Sequence, residues 1–93
     1  MDAARCLELG IVNRVVPDER LMDETLELAR RLAAGPTRAY AVMKGNLDRA
    51  LRADLPTCLA GEARGIVETA GTRDHREAVR AFAAKRRPEF EGH

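Results

Sequence analysis

Only one segment of this 93-residue chain has the composition of a β-strand. Ile11 to Val16 (IVNRVV) is rich in β-branched residues and stops at Pro17, which has no N–H to offer a ladder. A strand carries backbone donors and acceptors on both edges, and each one buried without a partner costs about 1–3 kcal/mol. With no second strand in the chain, the pairing partner is expected in another copy or in sequence that this chain does not contain. The segment therefore marks the chain as a piece of something larger.

Everything else has helical periodicity. Asp2 to Leu9 (DAARCLEL) is a short run with Ala3, Cys6 and Leu7 on one side, followed by Gly10 where a left-handed C-cap residue belongs. Asp18 is placed to cap a helix from Glu19 to about Ala34, buried along Leu21, Thr25, Leu28, Ala29 and Leu32 and widened by Met22 and Leu26. Gly35-Pro36 closes it and opens the next, which runs to about Arg52. The stripe of that helix is Tyr40, Met43, Leu47, Ala50 and Leu51, with Lys44 and Arg49 facing away. Gly45 weakens it by roughly 1 kcal/mol relative to Ala. Asp54 caps a third long helix, with Pro56 in its first turn and Leu55, Leu59, Ala63, Ile66, Val67 and Ala70 pointing inward. Gly61 and Gly65, four apart, make one of its faces narrow enough for close helix approach, and Gly71 ends it.

In the closing stretch, DHREAVRAFAAKRRPEFEG, Asp74 and Glu77 have the spacing of a capping box. Ala78, Val79 and Phe82 form the apolar stripe. Lys85, Arg86 and Arg87 fall in the last turn, where positive charge suits the helix dipole. Pro88 stops the helix, and Phe90 is an apolar anchor beyond it. The expected architecture is mainly α: a short helix and one strand, then about four helices.

The core is expected to be thin. Apolar residues make up 45% of the chain, but many are Ala, only Tyr40, Phe82 and Phe90 are aromatic, and there is no Trp. A chain of this size buries roughly 60–65% of its unfolded surface, so oligomerisation or a missing partner segment is expected to supplement it. A net charge of +1, in mixed signs, argues against nucleic acid or a membrane as the main ligand. Cys6 and Cys58 lie on apolar segments without metal-ligand spacing, which fits free thiols in a reducing compartment. With no signal peptide or transmembrane run, the expected location is cytoplasmic.

No complete active site is legible. The chain has no Ser, which excludes a serine nucleophile, and its only histidines are His75, in a first helical turn, and His93, terminal and expected to be disordered. Nothing orients His75 toward Cys58. Glu24 and Glu27 stand beside Arg20, Arg30 and Arg31 and read as solvated ion pairs. Glu62, beside an apolar stripe, reads as partly buried and paired with an Arg. The Lys85–Arg87 cluster fits either a solvated helix end or a contact to a phosphate-bearing ligand; nucleic acid is disfavoured for want of a wider basic surface.

Taken in order and spacing, several stretches resemble the C-terminal part of the crotonase superfamily, the enoyl-CoA hydratases and isomerases. They are AARCLELGIVNRVVP (Ala3 to Pro17), LARRLAAGP (Leu28 to Pro36) with Lys44 after it, Glu62, and the closing Asp74, Glu77, Ala81, Phe82, Lys85, Arg86, Pro88 and Phe90. The resemblance implies that residues 1–17 end the family's core and that residues 18–93 form the C-terminal helical, trimerisation region of a crotonase-like α/β fold. It implies self-association into trimers or hexamers. It also implies a parent protein that handles acyl-CoA thioesters through an enolate, adding water or shifting a double bond. Coenzyme A thioester is then substrate rather than a covalently bound cofactor, and no metal is implied.

The family's oxyanion hole and catalytic carboxylates lie upstream of the matching region. No catalytic residue is carried over, and this chain is expected to be inactive by itself. Two residues do match a binding role: Phe82 the aromatic wall of the acyl or CoA site, and Lys85 the lysine that meets CoA phosphate. Ile66 stands where some members have a second aromatic, and Ala78 replaces a usual Gly. The alternative is a stand-alone helical oligomerisation module without a ligand.

Overall fold

The computed structural model describes residues 1–93. It contains five α-helices and no strand: α1 (Ala3–Glu8), α2 (Asp18–Ala33), α3 (Thr37–Ala50), α4 (Leu55–Ala70) and α5 (Arg73–Ala83). Two compact units divide the chain, residues 1–30 and residues 31–93.

In the first unit, the Asp2 carboxylate caps α1 by accepting from the Arg5 N–H at 2.8 Å. Gly10 takes the left-handed conformation (φ 71°). Its N–H reaches the Leu7 carbonyl at 3.0 Å and the Ile11 N–H reaches the Cys6 carbonyl at 2.9 Å, the paired closure of a Schellman motif. This corrects the expectation of a strand at Ile11–Val16. The first two amides of that segment are used on α1, with Val12 N–H also directed at the Cys6 carbonyl at 3.4 Å, and no second strand exists to complete a ladder. The segment is tied to α2 by an ion pair instead. Arg14 donates to Glu24 at 2.7 Å, and Arg20, one turn before Glu24, holds the other carboxylate oxygen.

The second unit is organised by glycine. Gly61 and Gly65 are both buried on α4. A methyl added at Gly61 would run into the Arg49 guanidinium, and one at Gly65 would meet Val42 Cγ1 at 2.5 Å. Advancing along α4 thus means retreating along α3, so the two helices pack antiparallel. Arg38 near the start of α3 accordingly pairs with Glu68 near the end of α4 at 2.5 Å. The contact face of α3 is Val42, Asn46 and Arg49, not the expected apolar stripe. Arg49 faces α4 rather than away from it, and Leu51 is 82% exposed. Closest approach falls where α4 has no side chains, and the α3 residues opposite are those that turn inward. Leu55, Leu59, Ile66 and Val67 of α4 are likewise exposed rather than inward, as are the leucines of α2. Ala81 is the one hydrophobic residue fully removed from solvent.

Glu62 also departs from expectation. It is exposed and accepts from Asn46 Nδ2 at 2.9 Å, while Asn46 Oδ1 accepts from Arg49 at 2.7 Å. Its partner is an amide, with the Arg one step behind. The Asp54 cap of α4 forms as expected, accepting from the Thr57 N–H at 3.0 Å. That bond holds the Asp54 carboxyl below its ordinary range.

Candidate functional site

Helix α5 carries both candidate binding residues, and its ends decide how they are presented. Its N-cap is Thr72, whose hydroxyl accepts from the His75 N–H at 3.0 Å. Asp74 is therefore not the cap. It lies in the first turn at 4% exposure, and its carboxylate accepts from the backbone amides of Glu91 (2.8 Å) and Gly92 (3.0 Å). Glu77, expected to reach back to the cap, points to the other end of the helix. It takes both Nη atoms of Arg86 at 2.5 and 3.0 Å and the Glu89 N–H at 3.2 Å. These donors, Arg86 foremost, pull its pKa from 4.5 to about 2.

The tail is ordered by these contacts. Phe90 shares a small cavity with Pro36, Ala39, Thr69 and Ala78, which seats it where α3, α4 and α5 meet. Gly92 adopts φ 84° and passes Thr37 so closely that a Cβ would lie 2.7 Å from its hydroxyl. The His93 carbonyl accepts from the Asp74 N–H at 3.0 Å. The terminal histidine is thus part of the packing rather than disordered.

At its C-terminus α5 ends at Ala83, two residues before the expected stop, so Lys85, Arg86 and Arg87 lie beyond the helix. Lys85 is the one non-glycine residue with positive φ (52°). Its N–H donates to the Phe82 carbonyl at 3.1 Å and the Arg86 N–H to the Ala81 carbonyl at 3.0 Å, repeating the Schellman closure of α1 with lysine in place of glycine. Phe82 is 87% exposed, and Lys85 is exposed beside it. The structure thus brings the two candidates together at the solvent-facing end of α5.

A polar cleft of about 630 Å³ lies along another face of α5. It is lined by Arg73, Arg76, Arg80 and Arg86 with Asp74, Glu77, Glu89 and Glu91, so its charges cancel. Neither Phe82 nor Lys85 lines it. The carboxylates considered as acid–base candidates are engaged elsewhere: Glu24 by two arginines, Glu62 by Asn46, Glu68 by Arg38 and Glu77 by Arg86. Cys58 leans on the Ala53 carbonyl in the first turn of α4, while His75 lies past the end of that helix, a separation of roughly 18 Å along the axis. No group of three His, Cys, Asp or Glu side chains is placed to hold a metal ion, and no helix is long and apolar enough to cross a membrane. The roles of Asp74 and Glu77 were missed in the sequence because both fit a capping box. Thr72, a good cap two residues earlier, was the available signal.

The chain matches the family model described as enoyl-CoA hydratase/isomerase over residues 1–93. It is 37% identical to a probable enoyl-CoA hydratase of Rhizobium meliloti over 90 residues, covering 97% of this chain and 35% of that protein. It is 40% identical to the 1,2-epoxyphenylacetyl-CoA isomerase of Escherichia coli over 93 residues, 99% of this chain and 35% of the relative. Among solved structures, a putative enoyl-CoA hydratase/isomerase from Mycobacterium abscessus superposes with a TM-score of 0.95 at 38% identity, covering all of this chain and 36% of that one. The chain spans about a third of the length of the relatives it matches.

Proposed function

The chain belongs to the enoyl-CoA hydratase/isomerase family, and from that premise we propose that it provides the C-terminal helical part of a protein acting on acyl-CoA thioesters through an enolate. In this reading residues 1–17 end the family's core and residues 18–93 form its oligomerisation region. Phe82 and Lys85 contribute an apolar wall and a cation to a CoA or acyl site. The observation that carries the reading is Phe82, a large aromatic 87% exposed and adjacent to a lysine held out on a left-handed turn. A Phe left in water forgoes about 1.5–3 kcal/mol of burial, which a ligand or a second subunit would recover. An ammonium beside it suits a phosphate group.

The chain by itself is expected to be inactive. Each carboxylate that might move a proton is held by an arginine, an amide or the backbone, and none lies in a cavity beside Phe82 or Lys85. Crotonyl-CoA hydration is the direct test: the 93-residue chain should show no turnover above buffer, and measurable hydration overturns the assignment. Coenzyme A binding should weaken about 3- to 10-fold in Lys85→Ala, the effect of losing one charge-assisted contact.

A second reading, a helical oligomerisation module without ligand, draws on the exposed leucines of α2 and α4. Sedimentation together with the coenzyme A titration separates the two: self-association without coenzyme A binding favours the module.

A further inference from the structure

We propose that Glu77 is a positioning residue: together with Asp74 it clasps the returning tail against α5 and, through Arg86, fixes the left-handed turn on which Lys85 stands. The functional half of this inference rests on Lys85 being a coenzyme A contact, as proposed above. The two carboxylates sit three residues apart in α5 and between them engage the tail at four residues. Asp74 takes the amides of Glu91 and Gly92, and Glu77 takes the amide of Glu89 and the guanidinium of Arg86. Asp74 also donates its own N–H to the His93 carbonyl.

Lys85 needs this support because a left-handed φ is disfavoured for any residue with a Cβ. Its own two turn bonds leave residues 86 and beyond free to swing, since both lie on the helix side of the turn. The clasp removes that freedom. Arg86 follows Lys85 directly and is held twice: its amide by the Ala81 carbonyl at 3.0 Å, its guanidinium in a two-pronged bond to Glu77. Arg86 Nη1 also donates to the Arg87 carbonyl at 3.1 Å, so the same side chain fixes the next peptide. With Ala84 in the right-handed region and Arg86 pinned, the chain can join them only by turning at Lys85. The lysine is thereby aimed by a residue two helical turns away that need not touch the ligand.

The clasp makes a distinction that a merely stabilising ion pair does not. If it sets the turn, Glu77→Gln should lose both the left-handed signature of Lys85 and affinity for coenzyme A. If it only stabilises, the melting temperature should fall while the Lys85 conformation and the affinity stay put.

The test uses the 93-residue chain with free coenzyme A as the probe. Lys85 backbone shifts and couplings are read by NMR, amide exchange is followed at Glu89, Glu91 and Gly92, and affinity is measured by titration. Arg86→Gln is the second variant, removing the same contact from an exposed position, with Lys85→Ala as reference. Both clasp variants should release Lys85 from the left-handed region, accelerate exchange at Glu89 and weaken coenzyme A binding about 5-fold, because only the fraction with the lysine correctly aimed binds. A Lys85 that stays left-handed in both variants overturns the positioning role even if Lys85→Ala abolishes binding. Unchanged affinity in Lys85→Ala overturns the coenzyme A reading instead, and with it the functional half of the inference.

Discussion

Three glycine-to-alanine substitutions in the α3–α4 pair separate helix propensity from packing. Each adds the same methyl to a helix interior and each should gain about 1 kcal/mol from the better helix former. They differ in what the methyl meets. At Gly45 nothing lies within 4 Å, so the gain is kept whole. A 1 kcal/mol gain raises the melting temperature of a domain this size by about 4–8 °C. At Gly61 the methyl displaces the Arg49 guanidinium, the far end of a flexible side chain whose bond to Asn46 is then lost. A hydrogen bond of that kind contributes about 1 kcal/mol, so the two effects nearly cancel.

At Gly65 the methyl would sit 2.5 Å from Val42 Cγ1, about 1 Å inside normal carbon–carbon contact. A β-branched valine in a helix has essentially one rotamer and cannot step aside, so α3 and α4 must separate. Overpacking of this kind costs about 1–3 kcal/mol, which leaves a net loss of about 1 kcal/mol and a melting temperature lower by about 4–8 °C. Thermal melts followed by circular dichroism at the helix band should therefore rank Gly45→Ala above wild type, Gly61→Ala beside it and Gly65→Ala below it. A Gly65→Ala protein as stable as Gly45→Ala would show that the helix pair is not closed at this residue.

The ends of α5 yield three more expectations. Thr72→Ala should destabilise by about 1 kcal/mol, as loss of an N-cap does, whereas Asp74→Ala should cost about 2 kcal/mol or more because it orphans the Glu91 and Gly92 amides; denaturant titration ranks them, and equal losses would return the cap to Asp74. Lys85→Gly should raise stability by about 0.5–1 kcal/mol while lowering coenzyme A affinity, since glycine takes the left-handed turn without strain and brings no charge. The folded-state pKa of Glu77 lies below its unfolded value of 4.5, so its contribution is complete above about 4.5 and is lost as pH falls toward about 2. Glu77→Gln should flatten the stability profile over that interval, and an unchanged profile would mean that the pair with Arg86 does not form in solution.

What was legible in the sequence was local. Asp2, Gly10 and Asp54 each announce a helix end by side-chain chemistry that acts within four residues, and each forms as expected. Lys85 closes α5 in the same way as Gly10 closes α1, yet it went unread because lysine has no preference for that turn; contacts nine residues back, from Glu77, hold the next residue in place. Ile11–Val16 was read as a strand because β-branched composition reports a tendency, while a ladder requires a second edge that composition cannot supply. Two cap residues stood two apart, Thr72 and Asp74, and the choice between them was made by a tail 17 residues further on.

The apolar stripes carry the more general point. Periodicity located them correctly on each helix, but it did not say that a neighbour within the chain would cover them. The α3–α4 contact runs instead along Gly61 and Gly65, because absent side chains let the backbones approach and fix the facing residues as Val42, Asn46 and Arg49. Once that line is set, Leu47 and Leu51 on α3 and Leu55, Leu59, Ile66 and Val67 on α4 are left outside. A hydrophobic stripe thus encodes a demand for burial, whereas small residues encode where two helices meet. In this chain the two signals lie on different faces, so the packing that closes the helix pair leaves the apolar faces unpartnered within it.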